Sequence, residues 1–270
     1  MRAFDQVRQW PVETAAIAVI AADGQSRGEY GPQQHAFDLA SVTKLLSAYA
    51  ALIAVEEGAI TLDDPAGPPG ATIRHLLAHA SGLAPESRDV VAKVGTRRIY
   101  SNAGFELLAE AVEAATGMPF ADYLGAGVWE PLGMASSQLV GSPAAGARST
   151  VADLRRFVVE LQRPRLLANE TMRQASSVAF PGLSGVLPGY GRQEPNDWGL
   201  GFEIRDDKSP HWTGSRSSPA TYGHFGRSGT FVWVDPDAGC ACVCLTNLAF
   251  GEWAIEAWPR LTDAILAELA

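Results

Sequence analysis

Lysine is scarce in this chain, with 3 among 270 residues against 18 arginines, so any lysine placed in an apolar run calls for an explanation. Cysteine is equally rare. Cys240, Cys242 and Cys244 alternate along one strand-like stretch, so all three point to one face and adjacent pairs cannot easily close a disulfide. A tetrahedral metal site would need a fourth ligand, and none is near; buried free thiols are the expectation. No run of 18 apolar residues exists, so no transmembrane segment is expected. The first eleven residues lack a signal-like apolar core, which points to a cytoplasmic chain, although a trimmed secreted form would look the same. Basic blocks with interleaved aromatics are also missing, and the formal charge is -9 with a pI near 5.0, which argues against a nucleic-acid partner. Neither an internal repeat nor a low-complexity tract is present.

What the chain does have is 47% hydrophobic and 19% charged residues, enough for one domain with an insertion or for two intertwined lobes. The stretch from Asp38 to Val55 reads as one buried helix, Ala- and Leu-rich, apolar on nearly every face and free of Gly and Pro until Gly58. Asp38 is placed to cap it. Within it, Ser41 and Lys44 are three residues apart and therefore on one face within mutual reach. That pairing suits nucleophilic catalysis, because a serine hydroxyl needs a base and a desolvated lysine loses its charge readily. The first turn of a helix also favours a developing alkoxide. With 18 serines and 3 lysines, such a spacing arises by chance about 0.2 times in this chain, so the pair needs support from elsewhere.

Periodicity, caps and turn residues predict the elements along the chain. A short helix over 4–10 is stopped by Pro11; a buried strand over 14–21 and a weaker one over 27–30 form a hairpin about Asp23-Gly24. Helices are expected over 73–80, with Thr72 as cap, over 105–115, opened by Ser101-Asn102, and over 120–124. Another runs over 154–161 behind a capping box of Thr150 and Asp153. A helix over 169–175 precedes a Gly- and Pro-rich stretch, 179–195, which reads as a functional loop. Strands return over 198–204, 230–234 and 240–245, and a helix kinked or restarted at Pro259 spans 253–269. The expected fold is α+β, with an antiparallel sheet built from both chain ends, flanked by helices, and an all-helical insertion. Residues 1–58 and 170–270 form the sheet lobe, 59–169 the helical lobe, and the active site lies between them.

Two further stretches complete a constellation with Ser41 and Lys44. Tyr100-Ser101-Asn102 offers a phenol to relay a proton and an amide to orient a lysine or a substrate carbonyl, although Ser or Asn is also what any helix start prefers. Gly223-His224-Phe225-Gly226-Arg227-Ser228-Gly229 precedes a strand, where glycines permit close backbone approach and an N–H could join that of Ser41 in an oxyanion hole. His75 and His79, at zinc-ligand spacing, have neither a neighbouring Glu in an H-E-x-x-H arrangement nor a third ligand. Packing of His75 and a helix-dipole interaction of His79 explain them instead.

Ser41-Val42-Thr43-Lys44, Tyr100-Ser101-Asn102 and His224-Phe225-Gly226, in that order, resemble the three signature motifs of the penicillin-binding protein and serine β-lactamase superfamily, closest to its class C and esterase branch. The segments 73–83, 100–117 and 130–134 also resemble recurrent segments of that branch. The resemblance implies Ser41 as acylated nucleophile, Lys44 as its proton acceptor, and Tyr100 as companion base or shuttle. It also implies Asn102 as a substrate contact, the N–H groups of Ser41 and Arg227 as oxyanion hole, and no metal or organic cofactor. The implied activity is hydrolysis of an ester or amide of a small molecule or peptide. A catalytically silent, ligand- or partner-binding relative is the alternative, disfavoured by the joint presence of Ser41, Lys44 and Tyr100. One departure matters: Phe225 stands where the β-lactamases carry a hydroxyl that helps hold a substrate carboxylate. Poor β-lactam turnover is therefore expected.

Overall fold

In the computed structural model of the protein, which describes residues 1–270, the two ends of the chain build one six-stranded antiparallel sheet. Its strands are β1 (Ala15–Ala21) and β2 (Ser26–Tyr30) from the N-terminal part, and β8 (Glu203–Ile204), β9 (Tyr222–Gly226), β10 (Thr230–Asp235) and β11 (Cys240–Thr246) from the C-terminal part. They are ordered β2-β1-β11-β10-β9-β8. The first and last stretches of chain meet at the centre, where β1 pairs with β11.

Every residue of β1, β10 and β11 is buried, because the sheet separates two cores and alternate side chains enter each. Ala16, Ala18, Ile20, Val232, Val243 and Leu245 face the larger core; Ile17, Val19, Phe231, Trp233 and the three cysteines face the smaller one. The cysteines therefore do share one face, free and buried, and desolvation raises their pKa values, that of Cys240 to about 12. The smaller core is closed by a 3-10 segment, Arg2–Gln9, and by the final helix α8 (Glu252–Leu269), which runs through Pro259 as one helix.

Over the larger core lie α1 (Thr43–Glu56), α2 (Ile73–Leu77), α3 (Asn102–Thr116), α4 (Phe120–Leu124), α5 (Glu130–Leu132), α6 (Val151–Gln162) and α7 (Asn169–Ala175). The helical stretch also carries two short strands, β4 (Gln138–Leu139) and β5 (Ala147–Ser149), which make a small sheet with β3 (Phe37–Asp38) in the order β3-β5-β4. Two caps behave as their residue types dictate: Ser101 and Thr150 hydroxyls accept the N–H groups of Gly104 and Asp153, both at 3.1 Å.

Several local expectations fail because a tertiary partner wins. Asp38 does not cap α1; it lies in β3, its carboxylate pairs with Arg148, and a 3-10 turn, Ala40–Val42, leads into the helix. Asp153 does not complete a capping box, since its carboxylate accepts the Ser136 N–H and the Ser137 hydroxyl. Thr72 bonds His75 Nδ1 instead of the backbone. The strand expected over 198–204 shrinks to β8, because Gly199 to Phe202 closes a tight turn with Gly201 at φ 89°. The stretch 179–195 contains a small hairpin, β6 (Gly185–Leu187) and β7 (Gly191–Gln193). No helix is long and apolar enough to cross a membrane.

Candidate active site

α1 is buried from Thr43 to Ala54, so its polar side chains must find partners inside the protein. They fasten the loop before β5: Thr43 Oγ1 accepts the Ala147 N–H at 3.0 Å, Ser47 donates to the Pro143 carbonyl at 2.6 Å, and Lys44 Nζ donates to the Ala144 carbonyl at 2.9 Å. Lys44 also meets Asn102 Oδ1 at 2.5 Å and Ser41 Oγ at 3.4 Å. Burial lowers the pKa of this amine to about 7, against the opposing pull of Glu86 and Glu106. A neutral amine has two N–H bonds and one lone pair. Asn102 Oδ1 and the Ala144 carbonyl can only accept, so they take the two hydrogens and leave the lone pair for the Ser41 hydroxyl.

Ser41 lies in the 3-10 turn just before α1, after Ala40, which is held in the left-handed region at φ 45°. The β9–β10 turn is stitched to the residues before it, with Ser228 donating to the Asp38 carbonyl at 2.6 Å and Thr230 to the Leu39 carbonyl at 2.8 Å. This approach is why position 226 is glycine: a Cβ there would sit 2.3 Å from the Leu39 carbonyl oxygen and 2.5 Å from Thr230 Oγ1. Arg227 follows directly and lines the same cavity as Ser41.

Tyr100, at the entrance to α3, places its ring 4.6 Å from Lys44 Nζ. Its hydroxyl is buried and faces Ser41 without closing a hydrogen bond; burial pushes the phenol pKa up, and the nearby Ser41 hydroxyl offsets only part of that rise. His224 packs 5.6 Å from Tyr100 and 5.4 Å from Trp198, ring to ring, and its Nδ1 lies 2.6 Å from the Phe225 carbonyl. A carbonyl only accepts, so the proton is on Nδ1; burial, with Lys44 nearby, lowers the pKa to about 3 and keeps the ring neutral. Phe225 turns to the other face of β9 and packs on Phe250 and Trp258 while still lining the cavity.

The structure thus brings together Ser41, Tyr100, Asn102, His224, Phe225 and Arg227 around one cavity of about 930 Å³, with Lys44 buried behind them and bonded to Ser41 and Asn102. Val91, Ile99, Val186, Leu187, Pro188 and Phe250 give it an apolar side. Two carboxylates there carried no signal in the sequence. Glu86, in an aperiodic loop, accepts from Asn102 Nδ2 through both oxygens at 2.9 Å, so the Asn102 amide is engaged at both ends. Glu203 lies at the cavity wall; burial would raise its pKa, but His211 and Lys208 pull it down to about 2. His79, read as a helix-dipole partner, is instead buried and neutral, with its pKa well below the ordinary value because of desolvation. His75 stacks on Phe180 at 4.4 Å.

A sequence model of the beta-lactamase family matches residues 6–266. The chain belongs to that family. Within it, the chain is 54% identical to a beta-lactamase of Mycobacterium bovis whose crystal structure superposes with a TM-score of 0.97, covering 99% of both chains. It is 26% identical over 186 residues to the D-alanyl-D-alanine-carboxypeptidase/endopeptidase AmpH of Escherichia coli K12, an alignment covering 51% of this chain and 48% of that protein. The chain spans less than half the length of the curated relatives it matches. The hydrolase EstCE1, described with promiscuous acyltransferase activity, shares the fold at a TM-score of 0.80 and 18% identity, covering 98% of this chain and 96% of that one. Family members are generally serine hydrolases, and the β-lactamase/transpeptidase-like fold is common to these structures.

Proposed function

We propose that this protein is a serine hydrolase that cleaves an ester or amide through an acyl-enzyme on Ser41 and prefers neutral, largely apolar acyl groups. The observation that carries this is the wholly buried Lys44 amine, its pKa lowered to about 7, 3.4 Å from the Ser41 hydroxyl at the edge of the cavity. The Lys44 lone pair takes the Ser41 proton as Oγ bonds to the substrate carbonyl carbon. The resulting oxyanion is held by the backbone N–H groups of Ser41 and Arg227. As the carbon–heteroatom bond breaks, the leaving group takes a proton from Lys44, relayed by Tyr100, whose raised pKa suits it to passing a proton instead of acting as the base. Water then attacks the ester carbonyl by the reverse route, frees the acid and returns the proton to Ser41. Asn102, bonded to Lys44 and Glu86, orients the base.

The preference for neutral substrates rests on three features. His224 is uncharged, Phe225 has no hydroxyl, and Glu86 sets a negative charge beside Asn102. The exposed guanidinium of Arg227 works against it, so the comparison of substrates is the sharp test. A chromogenic cephalosporin should show a kcat/KM well below that of a p-nitrophenyl ester. Ser41→Ala should abolish ester hydrolysis and the mass gain from a fluorophosphonate. Labelling that persists on Ser41→Ala, or efficient cephalosporin turnover, would refute the corresponding part of the reading.

A further inference from the structure

His79 brackets Tyr100 on both sides. Its backbone carbonyl accepts the N–H of Ile99 at 2.9 Å, and its ring Nδ1 accepts the N–H of Ser101 at 3.1 Å. The two bonds come from one residue and clamp the residues before and after Tyr100. The ring lies 4.7 Å from that of Tyr100 and 4.7 Å from that of Trp198, with Phe105 behind it at 5.3 Å.

This arrangement is not relaxed. His79 is a non-glycine residue at φ 54°, in the left-handed region that side chains avoid. Accepting at Nδ1 puts its proton on Nε2, and that N–H is buried without a partner. An apolar residue would pack there without an orphaned donor, although it too would pay for the positive φ, so packing alone does not explain the imidazole. The residue before it is also pinned, since the Arg98 guanidinium donates to the Ala78 carbonyl and, from Nε, to the Asn196 carbonyl at 3.0 Å. Backbone strain and an orphaned donor at a residue that meets neither Ser41 nor Lys44 directly are costs that a positioning role would repay.

We propose that His79 is the positioning residue for Tyr100, its Nδ1 and carbonyl together fixing where the phenol stands against Ser41 and Lys44. The proposal rests on the reading of Ser41, Lys44 and Tyr100 as acyl-transfer machinery. It distinguishes variants by one atom: Asn at position 79 places Oδ1 where Nδ1 stands and tolerates positive φ, whereas Gln and Leu supply no acceptor there.

The test measures ester hydrolysis per fluorophosphonate-titrated site in His79→Asn, His79→Gln and His79→Leu, and per mole of protein in Ser41→Ala, with thermal melts alongside. Asn should stay within a few-fold of wild type. Gln and Leu should lose about 10- to 100-fold in kcat at nearly unchanged KM, the scale of misplacing a catalytic group by a fraction of an ångström to one ångström. In a Tyr100→Phe background, His79→Gln should cost nothing further, because the group it positions is gone. If Leu does not fold, Asn against Gln decides, since both are amides. Wild-type kcat in Gln, equal losses in Asn and Gln, or an undiminished effect in the Tyr100→Phe background would each overturn the positioning role. Hydrolysis surviving in Ser41→Ala would instead overturn the site reading beneath it.

Discussion

The Lys44 amine gives up its charge near neutrality because it has no access to water, with the carboxylates of Glu86 and Glu106 pulling the other way. A base must be unprotonated to act, so kcat/KM should rise with pH along a limb whose apparent pKa is about 7. His224 does not contribute to that limb, being neutral above a pKa of about 3, nor does Tyr100, whose burial moves its ionisation upward. The sign for Glu86 follows: its charge raises the pKa of Lys44, so Glu86→Gln should move the limb to lower pH, and added salt should shrink the difference because Glu86 is exposed. A pH–rate profile of both proteins at two ionic strengths checks this. A limb that stays put, or moves up, would remove Glu86 from the electrostatics of the base. Lys44→Arg should lose at least about 100-fold in kcat, since arginine holds its proton.

Two elements, not one, make the nucleophile's surroundings. The turn before α1 presents Ser41, and the end of β9 comes within backbone contact of it, through Gly226 against the Leu39 carbonyl and through the hydroxyls of Ser228 and Thr230. Adding a methyl group at 226 must push β9 away from that turn and carry the Arg227 N–H with it. Gly226→Ala should therefore lower kcat by about 100- to 1,000-fold, the range for losing one oxyanion donor. Fluorophosphonate labelling of Ser41 should slow in parallel, because it too passes through an oxyanion. Wild-type rates in Gly226→Ala would exclude the Arg227 N–H as the second donor.

At the scale of the whole molecule, the site stands at the edge of a sheet filled on both faces, and the smaller face reaches into the cavity. Trp258 of α8 is fully buried there, 5.1 Å from Phe231, 5.2 Å from Phe250 and 5.8 Å from Phe225, ring to ring. Removing it should cost about 3–5 kcal/mol. For a chain of this size Trp258→Ala should lower the melting midpoint by roughly 10 °C. Since Phe225 and Phe250 also line the cavity, KM for long apolar esters should rise more than KM for acetate esters. A melting midpoint within a degree or two of wild type would show that the smaller core contributes little to stability.

The sequence by itself determined what depends on neighbours along the chain. The three-residue spacing put Ser41 and Lys44 within reach of each other, alternation put the three cysteines on one face, and Ser101 and Thr150 announced their helices. The side-chain chemistry of Tyr100 and Asn102 was legible, but that they and His224 meet Ser41 rested on a resemblance of motifs, because nothing local to them specifies a partner more than fifty residues away. Only the tertiary structure decided the rest. Asp38 could have capped α1, but Arg148 and the β3 pairing hold it elsewhere; Glu86 could have been a solvated loop charge, but the amide of Asn102 faces it. The physical reason is the same throughout. A side chain's periodicity and cap preference act over one helical turn, whereas desolvation, the tautomer of a buried imidazole and the pKa of a buried amine depend on which distant segments close around them.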